Sequence, residues 1–251
     1  AFRNLKNYFN NIIETSDPEI VKNEYKIMTE QGLDLVINRN LENDIDKTLD
    51  EFGEIKDNAS SKLKSIRRNI EKIGKIFAYE ISKELEYKEK KIITPLGISK
   101  MTIPVSPIVN ATILRAGLPF HQGLLNYFDN AENAFISAHR KYHKDGSFTI
   151  QFEHLSSPSV ENKVLILSDP MLASGASMEI AYKALIERGK PKHTHIVTII
   201  GSNQGINYVK KHISMKNVTN WAGDVDDELT VKSYIVPGLG DAGDLAFGSK
   251  I

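Results

Sequence analysis

The residues best able to do chemistry lie in three short stretches. The first reads Val164-Leu165-Ile166-Leu167-Ser168-Asp169-Pro170-Met171-Leu172-Ala173-Ser174-Gly175-Ala176-Ser177. Its apolar run is too short for a solitary buried helix and reads as a strand buried on both faces, with the carboxylate of Asp169 at its C-terminal edge. The small residues lead into a helical pattern, with Ile180, Ala181, Ala184 and Leu185 on one face, that Gly189 and Pro191 bring to an end. Strand, small-residue loop and helix start together make an anion site, because the first N–H groups of a helix lack partners and carry partial positive charge. Small side chains let an anion reach those groups, and the hydroxyls of Ser174 and Ser177 add donors. The second stretch is Val109-Asn110-Ala111-Thr112-Ile113-Leu114, a strand with Arg115 at its ligand-facing end. The donor fork of that arginine suits a salt bridge or a pair of phosphate oxygens. The third is Tyr234-Ile235-Val236-Pro237-Gly238-Leu239-Gly240-Asp241-Ala242-Gly243-Asp244. Its glycines and proline force an irregular backbone whose N–H and C=O groups can read the edge of a flat ligand.

The elements that must position these residues alternate strand and helix. Residues 134–138 and 195–202 read as further strands, and the latter completes a right-handed βαβ unit with the 164–167 strand and its helix. A short helix over residues 205–212 covers the sheet. Ile66, Ile70, Ile73, Phe77 and Ile81 mark a long amphipathic helix that leaves Arg67 and Arg68 on its wet side. Short strand pieces around Ile92 flank a turn at Pro95-Leu96-Gly97, and Phe148-Thr149-Ile150-Gln151-Phe152 alternates like an antiparallel strand. Ser16-Asp17-Pro18 reads as the start of a second N-terminal helix, and residues 38–61 as a solvated, partly helical connector. The acidic run Asp224-Val225-Asp226-Asp227-Glu228 reads by default as solvated, with metal binding the alternative. His193 and His195 read as packing or edge residues; the basic run His139-Arg140-Lys141-Tyr142-His143-Lys144-Asp145-Gly146 reads as a solvated turn, and His139 and His143 would need a helix to share a metal, which Gly146 and the following strand oppose.

Composition narrows the function classes. With 251 residues, 41% hydrophobic and 25% charged, the chain suits one α/β domain with an appendage or two small domains, and not a disordered or fibrous protein. A formal net charge of zero supplies no global field for nucleic acid or a membrane surface, so neither is an expected partner. The absence of cysteine excludes disulfides and thiolate chemistry and leaves the compartment undetermined, with a reducing one mildly favoured; a cytoplasmic location is the expectation. No eighteen-residue apolar run or signal-peptide core is present, and no Gly-Lys-Ser/Thr follows the 164–177 stretch, so nucleoside-triphosphatase chemistry has no support.

The three stretches also carry a resemblance. Asp-Pro-Met-Leu-Ala-Ser-Gly-Ala-Ser at 169–177 resembles the phosphoribosyl-pyrophosphate (PRPP) motif of type I phosphoribosyltransferases, in the form used by the uracil phosphoribosyltransferase family. Ile-Leu-Arg-Ala-Gly-Leu-Pro at 113–119 is similar to the segment in which that family's arginine contacts PRPP, and the 234–244 stretch is similar to its uracil-binding segment. The resemblance spans roughly residues 63–251 and implies an α/β fold: a mostly parallel sheet flanked by helices, a β hood or arm formed by 148–152 with Ser156-Ser157-Pro158, and a helical N-terminal extension over 1–62. It implies transfer of the phosphoribosyl group of PRPP to N1 of uracil, giving UMP and pyrophosphate (pyrimidine salvage), with Mg2+ carried on the PRPP and a homodimer or larger homo-oligomer as the assembly.

The residue roles it implies are specific. Asp169 and Arg115 are catalytic. PRPP is bound by Arg115, Arg140, Asp169, Pro170, Met171, Leu172, Ala173, Ser174, Gly175, Ala176, Ser177 and Asp241, and uracil by Ile235, Gly240, Asp241 and Ala242, largely through backbone. No residue is assigned as a resident metal ligand. The family's second pyrophosphate-contacting arginine falls on His143 in a gapless alignment from the preceding strand. It falls on Arg140 when the arginine itself is aligned, with His139 replacing a tyrosine, and Arg140 is preferred because only a permanently charged fork replaces that contact well. Departures stand at Ser174 (threonine in the family), Ala176 (glycine) and Leu245 (commonly Arg or Lys). Those at Ala176 and Leu245, together with His139/His143, motivate a second reading, a non-catalytic homologue that binds PRPP or nucleotide as a regulator. A third takes the polar N-terminus as the docking arm of an interaction protein.

Overall fold

A computed structural model describes residues 33–35, 59–142 and 148–249 of the chain. The helices read within residues 1–32, most of the connector and residues 143–147 lie outside the described residues.

The elements follow in chain order. They are β1 (Leu33–Leu35), α1 (Ala59–Lys83), β2 (Tyr87–Thr94), β3 (Gly97–Pro104), β4 (Ile108–Leu114), α2 (Gly117–Leu125), β5 (Glu132–Tyr142) and β6 (Phe148–Ser156). Then come β7 (Val164–Ser168), β8 (Met171–Leu172), α3 (Ala176–Ile186), β9 (His193–Ser202), α4 (Asn203–His212), β10 (Val218–Asp226), β11 (Glu228–Leu229), β12 (Ile235–Val236) and α5 (Ala242–Phe247). Among the described residues the main sheet runs β1-β10-β9-β7-β4-β5-β6, with β8 beside β9. Every pairing is parallel except β5 with β6. The expected architecture, a mostly parallel sheet flanked by helices, is present.

Burial explains the strands. All five residues of β7 are buried, as the continuous apolar run requires of a strand covered on both faces. One face carries α1 and α2, whose Ile66, Ile70, Ile73, Phe77 and Phe120 pack with Ile166, Val197 and Trp221. Phe77 meets Phe120 edge to face at 5.5 Å. The other face carries α3 and α4, with Met178, Ala181, Leu185, Ile206 and Val209 against Leu165, Leu167 and Ile196. Because β4, β7, β9 and β10 run parallel, their C-terminal ends share one edge. Arg115, Asp169 and the turn into α4 are all delivered there.

Four elements differ from the sequence reading. The acidic run is not wholly solvated: β10 continues through it, leaving Asp224 1% and Asp226 2% exposed. Strand alternation puts both on one face, beneath the loop that follows. Arg67 is not simply a wet-side residue, since its Nη1 donates to the Ala246 carbonyl at 2.6 Å and its guanidinium lies 5.7 Å from the centre of the Phe247 ring. The strand pieces around Ile92 are one full antiparallel hairpin, β2 with β3. The basic run after residue 138 is not a turn through Tyr142, because β5 extends that far and pairs with β6.

Candidate active site

The loop after β7 is fixed by backbone bonds before any ligand arrives. The Asp169 N–H donates to the Val197 carbonyl at 3.0 Å, and the Pro170 carbonyl accepts from Ile199 and Ile200 at 3.1 and 3.0 Å. A further bond, from the Met171 N–H to Asp169 Oδ1 at 3.4 Å, turns the carboxylate back over its own loop. At the far end Gly175 is the residue before α3 and takes a left-handed conformation, φ +83°. A side chain there would be strained, and its Cβ would sit 2.9 Å from the Gly205 carbonyl oxygen. The loop therefore delivers the start of α3, whose first N–H groups have no partner within the helix, to the sheet edge; the Ala176 N–H lies 3.5 Å from Ser174 Oγ. Ala176 follows without a positive φ, so alanine fits where the family has glycine.

Arg115 leaves β4 through a cis peptide with Leu114. Its Nη2 donates to Asp244 Oδ1 at 3.0 Å and to the Gly248 carbonyl at 3.1 Å, while its buried Nε has no partner among the described residues. Gly117 starts α2 so close to β4 that a Cβ would fall 2.0 Å from Thr112 Oγ1. That close approach brings the arginine and the helix start to one corner. Asp244, 129 residues away in sequence, is thus the counter-ion that orients Arg115.

The loop before α5 is tied at both ends. β12 pairs with β11, and the Gly238 N–H donates to Asp226 Oδ2 at 3.0 Å. Asp241 precedes α5 and accepts from the Asp244 N–H at 3.0 Å. Burial pushes the Asp224 carboxyl up to about 6 and holds that of Asp226 above the ordinary range, an effect offset in part by the Gly238 bond.

These pieces enclose one cavity of about 490 Å3. Arg115, Asp169, Met171 to Gly175, Ser177, Gly240, Asp241 and Ala242 all line it. Pro170 and Ala176 do not: the first is buried beneath the loop and the second opens α3. Ile235 turns its side chain into the core at 2% exposure, and its neighbours Ser233 and Tyr234 face the cavity instead. Arg140 lies in β5 opposite Ile150, and its side chain is outside the described residues. Lining residues to which sequence reasoning gave no role include Ala138, Ser233, Tyr234 and Asp244. Asp244 carried a signal, as the second Gly-Asp of the 234–244 stretch; Ala138 carried none. Among the described residues, three carboxylates, those of Asp169, Asp241 and Asp244, share the cavity with the guanidinium of Arg115. Among the described residues, no group of three or more His, Cys, Asp or Glu side chains is arranged to hold a metal ion by itself.

A strand-ended loop that opens a helix and a glycine-rich loop around one cavity, on this mostly parallel sheet, make the type I phosphoribosyltransferase fold. The family model described as Uracil phosphoribosyltransferase matches residues 54–249. A uracil phosphoribosyltransferase of Porphyromonas gingivalis is 54% identical over 185 residues, covering 74% of this chain and 85% of that one. Another, of Methanothermobacter thermautotrophicus, is 36% identical over 187 residues, covering 73% and 84%. The solved structure of AQ2163 protein from Aquifex aeolicus superposes with a TM-score of 0.75 at 24% identity, covering 87% of this chain and 99% of that one, and so shares the fold. The chain belongs to the uracil phosphoribosyltransferase family.

Proposed function

We propose that the cavity at the sheet's C-terminal edge takes PRPP and uracil together and yields UMP and pyrophosphate. One observation carries this reading: Arg115, Asp169, the 173–175 loop and the Gly240–Ala242 backbone line the same cavity. Its volume of about 490 Å3 lies in the range of small-molecule sites. The family match supports the same activity and does not favour the purely regulatory alternative.

In the reaction the C1′–oxygen bond to pyrophosphate breaks, the N1–C1′ bond to uracil forms, and the N1 proton leaves to solvent or product. Positive charge builds on the sugar and negative charge on the leaving group, so positioning and electrostatics do most of the work. The start of α3, with Ser174 and Ser177, holds the 5′-phosphate. Asp169 grips the ribose hydroxyls and favours the cationic sugar. Arg115 exchanges Asp244 for the departing pyrophosphate, aided by Arg140. The backbone around Ile235, Gly240 and Ala242 orients the pyrimidine, and Asp241 meets PRPP. Mg2+, when bound through the pyrophosphate oxygens, would neutralise leaving-group charge. The carboxylates of Asp169 and Asp241 are hard oxygen donors that suit this ion, which keeps most of its ligands from water and phosphate.

The reading includes a homodimer or larger homo-oligomer. The β2–β3 hairpin supports it, because both strands are exposed along nearly their whole length and Ile93, Leu96 and Ile98 are 86%, 101% and 71% exposed. An isolated two-stranded ribbon with apolar side chains in water is marginal, and a second copy of the chain would cover it. It also includes a cytoplasmic location, where a polyanionic sugar substrate that cannot cross a bilayer unaided is at hand. Turnover of labelled uracil with PRPP tests the activity. UMP formation is the expected result, and tight binding of both ligands with no product would establish the regulatory alternative instead.

A further inference from the structure

Two residues outside the cavity sit side by side at the edge that builds it. Ser202 ends β9 and Asp226 ends β10, and they are partners in the parallel register of those strands. Paired residues of adjacent strands share a face about 4.8 Å apart. Each is buried, Ser202 at 0% and Asp226 at 2% exposure, and each holds a different loop. The Ser202 hydroxyl donates to the Ala173 carbonyl at 2.6 Å and accepts from the Gly205 N–H at 2.8 Å. Asp226 Oδ2 accepts from the Gly238 N–H at 3.0 Å.

Both grips fall where main chains approach too closely for a side chain. A Cβ on Gly205 would lie 2.2 Å from the Ala173 carbonyl oxygen. Gly238 has φ +51°, and a Cβ on it would lie 2.3 Å from the Ile235 carbonyl oxygen. Each contact therefore locks a backbone geometry that has little room to adjust. One more bond closes the frame: Asn203 Nδ2 donates to Asp227 Oδ1 at 2.6 Å, joining the residues that follow the two strand ends. Asp226 meanwhile leaves its Oδ1 buried and, among the described residues, without a partner. A carboxylate with one donor and one orphaned oxygen is a costly way to stabilise a fold. It is intelligible if its task is to place the loop.

We propose that Ser202 and Asp226 are positioning residues that hold the phosphate-side and base-side loops in mutual register, and that Asp226 thereby sets how uracil is read. The inference rests on the reading of the cavity as the uracil and PRPP site. Ala173 lines that cavity directly, whereas Gly238 sits at the root of the loop that presents Gly240 and Ala242 to it. Neither positioning residue touches a substrate, so each acts through one loop.

The test is steady-state kinetics of the full chain with each substrate varied in turn. Asp226→Ala should raise KM for uracil about tenfold, the scale of one lost hydrogen bond to a charged group, with KM for PRPP and kcat within about twofold of wild type. Asp226→Asn, which keeps an oxygen to accept from Gly238, should recover most of that loss. Ser202→Ala should do the opposite, raising KM for PRPP about fivefold and leaving that for uracil unchanged. Should Asp226→Ala fail to fold, the Ser202→Ala split decides the matter alone. Equal changes in both KM values, a fall in kcat only, or no change would overturn the proposal while leaving the activity intact. A wild-type chain that makes no UMP would overturn the functional reading, and this inference with it.

Discussion

Arg115 carries the most specific consequence at the scale of single residues. Its fork already holds Asp244 and the Gly248 carbonyl, and its Nε is buried without a partner among the described residues. On the proposed reading the side chain is thus oriented before pyrophosphate arrives, and a charge-assisted contact of this kind is worth about 1.5–3 kcal/mol. Arg115→Ala should lower the rate of UMP formation roughly ten- to a hundredfold. An unchanged rate in the purified variant would remove the arginine from the mechanism. Asp224 gives a second prediction, of stability against pH. Burial raises its pKa from 3.8 to about 6, so the folded state holds this proton more tightly than the unfolded chain. Its contribution to stability is therefore complete below about pH 4 and disappears as pH rises through about 6, a change of about 2–3 kcal/mol. The melting temperature of the wild type should fall relative to Asp224→Asn as pH rises from 4 to 7. A difference that stays constant across that range would show that Asp224 does not titrate as described.

At the scale of elements, the start of α3 is the part of the site that local sequence prescribes most fully. Gly175 holds φ +83° with the Gly205 carbonyl 2.9 Å from where a Cβ would stand. Gly175→Ala should cost about 1–3 kcal/mol and raise KM for PRPP, because the loop must shift to admit the methyl group. Thermal melts and PRPP titration would measure both, and a variant melting with wild type would contradict the strain argument. Such features were legible because they are local: a buried apolar run, small residues, then a periodic helix. Arg115 and Asp169 were legible for the same reason, each lying directly after a strand. What the sequence could not show depends on partners far along the chain. Arg67 meets Ala246 across 179 residues and Arg115 meets Asp244 across 129. Asp224 and Asp226 looked solvated because a run of acids normally is; only their continuation of β10 beneath the 235–241 loop buries them. Similarly, the full hairpin was hidden because its exposed strands carry no alternation to reveal them.

Across the whole molecule, a zero net charge conceals a strongly uneven arrangement. Among the described residues, the cavity at the sheet's C-terminal edge gathers Arg115 and three aspartates, while the β2–β3 hairpin carries exposed apolar side chains and the exposed lysines at 88, 90, 91 and 100. Covering the hairpin with a second chain predicts that Ile93→Lys combined with Leu96→Lys shifts the protein towards monomer in sedimentation experiments without unfolding it. A wild type that is already monomeric at micromolar concentration would contradict this. The central claim concerns the cavity itself, and a panel of bases tests it most directly. Uracil, cytosine, hypoxanthine, guanine and orotate are each supplied with PRPP to the purified chain, and nucleotide product is measured. The account predicts UMP from uracil and negligible product from the other four. Product from a purine base, or none from uracil, would contradict it.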